Sequence, residues 1–217
     1  NDDYFSRQNK SKLSPEPRYG HAGALLEDSF VIYGGQLANR SLSNELWLFN
    51  ISKSEWSLIS LKSTSIPTKL TRHTITFVTE ESSLYIFGGS FESGEFSSKL
   101  YKINIGKEDE DWVFSEILPR GGKTMNIRIV AHTTNYLKES NSLLVYGGII
   151  VNLARLSKLS DRIFLFNLES LHWTEVSYPK TELREASIPK ERAFHTSIVA
   201  GKYLIVFGGY HHRHNKV

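Results

Sequence analysis

The sequence predicts an all-β chain: a partial ring of about three and a half four-stranded antiparallel units packed around one axis. Three observations predict it. A Gly-Gly pair closes an apolar run four times: VIYGG at Gly34 and Gly35, YIFGG at Gly88 and Gly89, LVYGG at Gly147 and Gly148, and IVFGG at Gly208 and Gly209. A histidine stands ahead of each pair, with His21, His73, His132 and His195 lying 13, 15, 15 and 13 residues before the first glycine. A tryptophan closes each of the first three copies, Trp56, Trp112 and Trp173 falling 21, 23 and 25 residues past the second glycine. Successive glycine pairs are 54, 59 and 61 residues apart. Landmarks recurring in a fixed order at such a period mark a repeat architecture.

Each copy reads as four strands. The first carries the histidine and alternates, as in HTITFV from His73. A short polar turn leads to the second, a near-continuous apolar run into Gly-Gly, as expected of a strand covered on both faces. The third alternates (ELWLFNIS from Glu45, KLYKINI from Lys99, RIFLFNL from Arg162), and the fourth holds the tryptophan. No segment keeps a helical period, and 180–190, polar with Pro189, reads as a long loop. One such unit cannot bury both of its faces; stacked radially, each covers its neighbour. A period of roughly 50 residues with this strand order is the kelch type of β-propeller. The expected blades are 18–66, 67–120, 127–185 and an incomplete 190–217, with 1–17 a linker or the entry strand from a preceding blade. The glycines are expected where a side chain would strike the next blade, and the tryptophans as wedges between blades. Rings close with about 4–8 blades. The remaining blades are therefore expected from the rest of the same chain or from a partner. The start at Asn1, with no signal peptide, reads as an internal piece of a longer protein.

Composition excludes several function classes. The 217 residues are 40% hydrophobic and 23% charged, a globular balance. A formal charge of +3 is too weak a field for nucleic acid or a membrane surface as main partner. No apolar run is long enough for a membrane helix, so no direct insertion by this segment is expected. There are no cysteines, which removes thiolate metal sites and thiol nucleophiles. No nucleophile elbow, phosphate loop or zinc motif appears. The kelch fold also hosts galactose oxidase, whose copper-radical chemistry needs a tyrosine crosslinked to cysteine and is excluded here. No enzyme, cofactor or metal site is expected.

The blocks RYGH (18–21), GGQLANRSLSNELW (34–47), 97–122 and PKERAFHTSIVAGKYLIVFGGYHHRH (189–214) carry a narrower likeness. With them the chain, from about Pro17 onward, resembles the kelch propellers of the attractin group of large single-pass membrane proteins. That resemblance implies an ectodomain module beside CUB and EGF-like domains, on the extracellular face of a membrane. It implies receptor-like proteins of developmental signalling, linked to an intracellular ubiquitin ligase that removes signalling receptors, Hedgehog signalling being the best-known case. The lack of cysteine departs from the group, where one would be expected just beyond Val217.

Three Asn-x-Ser sequons, at Asn9, Asn39 and Asn50, agree with that setting and are the candidate glycosylation sites. The cluster His211, His212 and His214 lacks nearby acids and helical spacing, and reads as a solvated loop rather than a metal site. The histidines of the repeat are expected to tie neighbouring loops, with Arg18 and Arg192 as packing or ion-pair residues. The acidic run 108–111 reads as a hairpin tip. Two basic groups, Arg120 with Lys123 and Arg128, and Arg155 with Lys158 and Arg162, are either a ligand-facing rim or scattered charge. The expected function is non-enzymatic protein binding through the loops 36–44, 90–98, 149–161 and 180–190. An intracellular kelch adaptor that selects substrates for a ubiquitin ligase is the alternative.

Overall fold

The computed structural model describes residues 13–63, 67–107, 111–120, 126–151, 156–177 and 190–211. Three four-stranded antiparallel sheets follow one another along the chain. The first runs β2 (Ala22–Leu25), β3 (Ser29–Tyr33), β5 (Leu46–Asn50), β6 (Glu55–Ile59). The second is β7 (Thr74–Val78), β8 (Ser83–Phe87), β9 (Leu100–Asn104), β10 (Val113–Ile117). The third is β12 (Thr133–Leu137), β13 (Ser142–Tyr146), β16 (Ile163–Asn167), β17 (His172–Val176). A fourth sheet has two strands among the described residues, β18 (Ala193–Ala200) and β19 (Tyr203–Tyr210). The described residues hold one 3-10 turn, Thr79–Glu81, and no α-helix. This is a partial β-propeller, and the sheets are its blades. The predicted loop over 180–190 lies outside the described residues except for Lys190.

The registers explain why each second strand is the apolar one. In the second blade Phe77, Leu84 and Ile103 lie in one row across three strands, and Thr76, Tyr85 and Lys102 in the next. Every residue of β8 is buried, because strands flank it on both edges and other blades cover both faces. The core accordingly lies between blades. One cluster joins Val31, Tyr33 and Leu46 of the first blade to Ile75, Ile86 and Trp112 of the second. Another joins Tyr85, Phe87 and Leu100 of the second to Leu143, Val145 and Phe166 of the third. On the fourth sheet the equivalent positions stand open, with Ile205 53% and Phe207 78% exposed.

Two backbone devices tie the blades together. The residue before each repeat histidine is left-handed: Gly20 (φ 66), Arg72 (φ 58), Ala131 (φ 54) and Phe194 (φ 58). Its N–H donates to the carbonyl of its counterpart in the preceding blade, Arg72 to Gly20 at 2.6 Å, Ala131 to Arg72 and Phe194 to Ala131 at 2.9 Å. A chain of hydrogen bonds thus runs around the axis. At the periphery the linker leaving one blade is pinned to the outer strand of the next, the Lys62 N–H on Trp112 carbonyl (2.7 Å) and the Arg120 N–H on Leu171 carbonyl (2.8 Å).

The innermost strands β2, β7, β12 and β18 face one another across polar side chains. The Thr74 and Thr134 hydroxyls meet at 2.7 Å, and Asn135 Nδ2 donates to Ser197 Oγ at 2.6 Å. These pairs satisfy groups that an apolar axis would leave without partners.

Candidate functional site

The glycine pairs organise one end of the ring. The first glycine of each of the first three pairs receives the histidine of the next blade. A Cβ on Gly34 would lie 2.9 Å from His73 Cε1, one on Gly88 2.7 Å from His132 Cε1, and one on Gly147 2.6 Å from His195 Cε1. The second glycine abuts the histidine of its own blade, with Gly35, Gly89, Gly148 and Gly209 facing the Cβ of His21, His73, His132 and His195 at 2.7–2.9 Å. Its N–H also crosses to the following repeat: Gly35 to Leu70 carbonyl, Gly89 to Ile129 carbonyl and Gly148 to Arg192 carbonyl, at 2.7–2.8 Å. The pair is therefore a socket for two histidines and one interblade hydrogen bond.

The histidine rings are buried in these sockets against Tyr33, Phe87 and Tyr146, at 5.2–5.5 Å between ring centroids and near edge-on. His132 Nε2 meets Thr74 Oγ1 at 3.2 Å and His195 Nε2 meets Thr133 Oγ1 at 3.0 Å. His73 meets no such hydroxyl among the described residues. Burial drives the pKa down to about 3 in His73 and His132, each also opposed by neighbouring histidines, and to about 4 in His195, where Arg192 adds to the effect. His21 is lowered as well, by burial and then by Arg18. These are neutral structural rings that tie blade to blade.

An arginine precedes three of the four repeat histidines by three or four residues, at Arg18, Arg128 and Arg192, and the structure separates them. The position three before the histidine is Arg18, Leu70, Ile129 and Arg192, and Arg128 lies one residue outside it. Arg18 is a clamp with its side chain 3% exposed: Nη2 bonds Glu45 Oε2 at 2.7 Å, and Nη1 reaches Ser43 Oγ at 3.1 Å and the Gly34 carbonyl at 3.3 Å. Arg192 Nη1 makes the same reach, to the Gly208 carbonyl at 2.9 Å. Burial raises the Glu45 pKa, but the Trp47 indole N–H and the Arg18 guanidinium together hold it below the usual carboxylate range. Arg18→Ala would take the cation from Glu45, which keeps the Trp47 and Ser43 donors, and remove this donor from the Gly34 carbonyl. With Glu45 part-exposed, a loss of about 1–2 kcal/mol is expected, read as a lower urea midpoint at unchanged slope.

A serine repeat escaped the sequence reading. Ser43, Ser97 and Ser160 are buried, and each hydroxyl accepts the N–H two residues on, from Glu45, Lys99 and Arg162 at 3.0–3.1 Å. Each serine N–H in turn bonds the carbonyl of the second glycine, at 2.7–2.9 Å. The signal was present as Ser-x-x-Leu/Ile-aromatic in SNELW, SSKLY and SDRIF. These turns fold the loops that follow the glycines back over the end of the ring. The loop of the first blade pairs β4 (Gln36–Leu37) with β1 (Arg18–Tyr19), and that of the third stacks β11 (Ile129–Val130), β14 (Ile149–Val151) and β15 (Ser157–Leu159). The result is a rim with exposed Tyr19, Arg72 and Phe194, the Arg72 guanidinium lying 5.7 Å from the Phe194 ring centroid.

The tryptophans lie toward the opposite end. Trp112 is buried between the first and second blades, Trp173 reaches Phe87 of the preceding blade at 4.8 Å, and Trp56 packs on Phe49 of its own blade at 5.0 Å. Asn39 is exposed on the rim loop, its Oδ1 accepting from Ser41 N–H and hydroxyl. Asn50 is half-buried at the far turn, its Oδ1 accepting from Ser52 Oγ and Lys53 N–H. Asn9 lies outside the described residues, as do His212 and His214 of the histidine cluster, 108–110 of the acidic run, Lys123 and Arg155. Asp111 pairs with Lys62 at 2.7 Å. Among the described residues no group of three or more histidines and acids could hold a metal.

A blade-repeat ring with a loop-built rim is the architecture of a protein-interaction module. The chain belongs to the Attractin/LZTR1 beta-propeller family, whose model matches residues 1–217. It is 32% identical to human multiple epidermal growth factor-like domains protein 8 over 207 residues, 93% of this chain and 7% of that protein. More distantly it is similar to the Caenorhabditis elegans host cell factor homolog hcf-1, at 22% over 94% of this chain and 32% of that protein. Human host cell factor 2 matches at 23% over 90% and 24%. The chain thus spans a small part of these relatives.

Proposed function

We propose that this chain is a non-enzymatic docking module in the ectodomain of a large single-pass membrane protein, with the rim at the glycine-pair end presented to a protein ligand outside the cell. The observation that carries the reading is the match across 93% of the chain to multiple epidermal growth factor-like domains protein 8, whose name describes EGF-like modules. The two described sequons, Asn39 exposed on the rim loop and Asn50 half-buried at the end of β5, support it. By the same likeness the parent protein belongs to developmental signalling and receptor turnover, and further blades come from the rest of its chain. No helix among the described residues is long and apolar enough to cross a membrane, so anchoring falls to other segments.

The test uses the full-length protein on cells. Asn39 and Asn50 should carry endoglycosidase-sensitive mass, and a photoreactive side chain at Tyr19 on the rim should trap a cell-surface protein that one at Ile51, on the far turn, does not. Bare sequons on a chain retained in the cytosol would contradict the reading and favour an intracellular adaptor. Equal trapping at both ends would contradict the rim.

A further inference from the structure

The offset of Arg128 gives the rim a binding feature that the repeat does not require. Where Arg18 and Arg192 turn inward to bond glycine carbonyls, the third blade places apolar Ile129 at that position, fully buried. Arg128 is carried one residue outward. It is exposed, and its guanidinium has no hydrogen-bond or ion-pair partner among the described residues. It stands between two adjoining clefts, one of about 210 Å³ toward the body of the third blade and one of about 290 Å³ toward the loop of the second.

The first cleft has a defined chemistry. Asn126, Ile127, Ile150 and Val151 line it beside Arg128, with Phe164 fully buried beneath them. Arg162 closes it, but that guanidinium is committed: it lies 4.7 Å over the Phe164 ring and is gripped by both oxygens of Glu175. Among the described residues no carboxylate lines this cleft. The second holds Glu95, which forms no ion pair with Arg128. A cleft of this size, lined by aliphatic side chains beside a planar cation that has no partner among the described residues, fits a carboxylate on a short apolar stem. Arginine binds carboxylates through two parallel N–H donors.

We propose that the Arg128 cleft is a recognition pocket for an acidic residue flanked by aliphatic ones in an extended protein ligand. The ligand carboxylate accepts from the Arg128 fork, and its aliphatic neighbours cover Ile150 and Val151. The proposal rests on the rim as docking face and supplies the chemical class of the ligand. Arg72, another exposed rim arginine, lies against the Phe194 ring, so it is a control.

The test is a titration of the full 217-residue chain with a blocked Gly-Val-Glu-Val-Gly peptide, following the arginine Nε–Hε NMR signals. The Arg128 signal should shift and saturate. The peptide with glutamine for glutamate should bind about tenfold more weakly, and Arg128→Gln should cost the glutamate peptide the same factor, leaving Arg72→Gln unaffected. Arg128→Gln should melt with the parent chain, since its head group makes no hydrogen bond or ion pair among the described residues. If it melts earlier, Arg128→Lys decides, and should still prefer glutamate over glutamine. Equal binding of the two peptides, or shifts centred on Arg72, would overturn the proposal. Failure here with rim crosslinking at Tyr19 intact removes the cleft alone, whereas loss of both removes the docking face.

Discussion

Gly88→Ala is expected to destabilise the chain by about 3–5 kcal/mol, close to the whole stability of an ordinary domain. The backbone there is left-handed (φ 67), and an alanine Cβ would sit 2.6 Å from the Ile129 carbonyl and 2.7 Å from His132 Cε1. Neither atom can yield. The carbonyl accepts the Gly89 N–H, and the ring is held between Phe87 and Thr74. Gly94 supplies the control on a loop of the same blade: it is also left-handed (φ 82), but nothing lies within 4 Å of its missing Cβ. Gly94→Ala should cost about 1 kcal/mol, the backbone strain alone. Gly147 and Gly208 make a second pair within one motif. Gly147 faces His195 and should behave like Gly88, while Gly208 has nothing within 4 Å of its missing Cβ among the described residues and should behave like Gly94. Urea denaturation of the four variants checks the set, and equal costs throughout would mean that strain, not blade contact, governs these sites.

The second large effect is acid sensitivity. His73 and His132 are held at about pKa 3 and His195 at about 4, against 6.5 for the free side chain. A lowered histidine pKa means that the unfolded chain binds protons the folded chain refuses. The stability these rings contribute is complete above pH 6.5 and is lost as pH falls toward 4. Near pH 5 the unfolded state should hold close to three extra protons, a slope of about 4 kcal/mol per pH unit. Glu45 and Glu81, whose folded pKa values lie below 4.5, add to the loss only at lower pH. The window from pH 7 to 5 therefore isolates the histidines. Chemical denaturation across it should show the slope, and His132→Gln should reduce it by about one proton. A stability flat from pH 7 to 5 would show that the rings charge freely in the folded state.

The sequence carried the repeat plainly because its landmarks are chemically constrained. Only glycine fits a left-handed residue pressed against a neighbouring blade, so Gly34, Gly88 and Gly147 had to recur. The axial chain of hydrogen bonds left no such trace. It is made by backbone groups of Gly20, Arg72, Ala131 and Phe194, four residues with nothing in common but a positive φ. The serine turns were legible at Ser43, Ser97 and Ser160, but lay between stronger apolar signals. Arg128 misled for the opposite reason. A spacing of three or four residues to the histidine looks alike in one dimension, whereas a shift of one residue along an extended segment turns a side chain from the clamp position outward to solvent. Of the candidate pocket the sequence showed only Arg128 and Arg162, each in a basic group read as either a rim or scattered charge; its aliphatic lining comes together only in the fold.

The interlock itself can be read directly. Each repeat histidine is set against the first glycine of the preceding blade, so NOEs should connect His73 Hε1 to Gly34 Hα, His132 Hε1 to Gly88 Hα and His195 Hε1 to Gly147 Hα. A wedge-against-wedge ring predicts all three. Histidine Hε1 signals that reach only glycines of their own repeat would contradict it and leave the units as separate sheets.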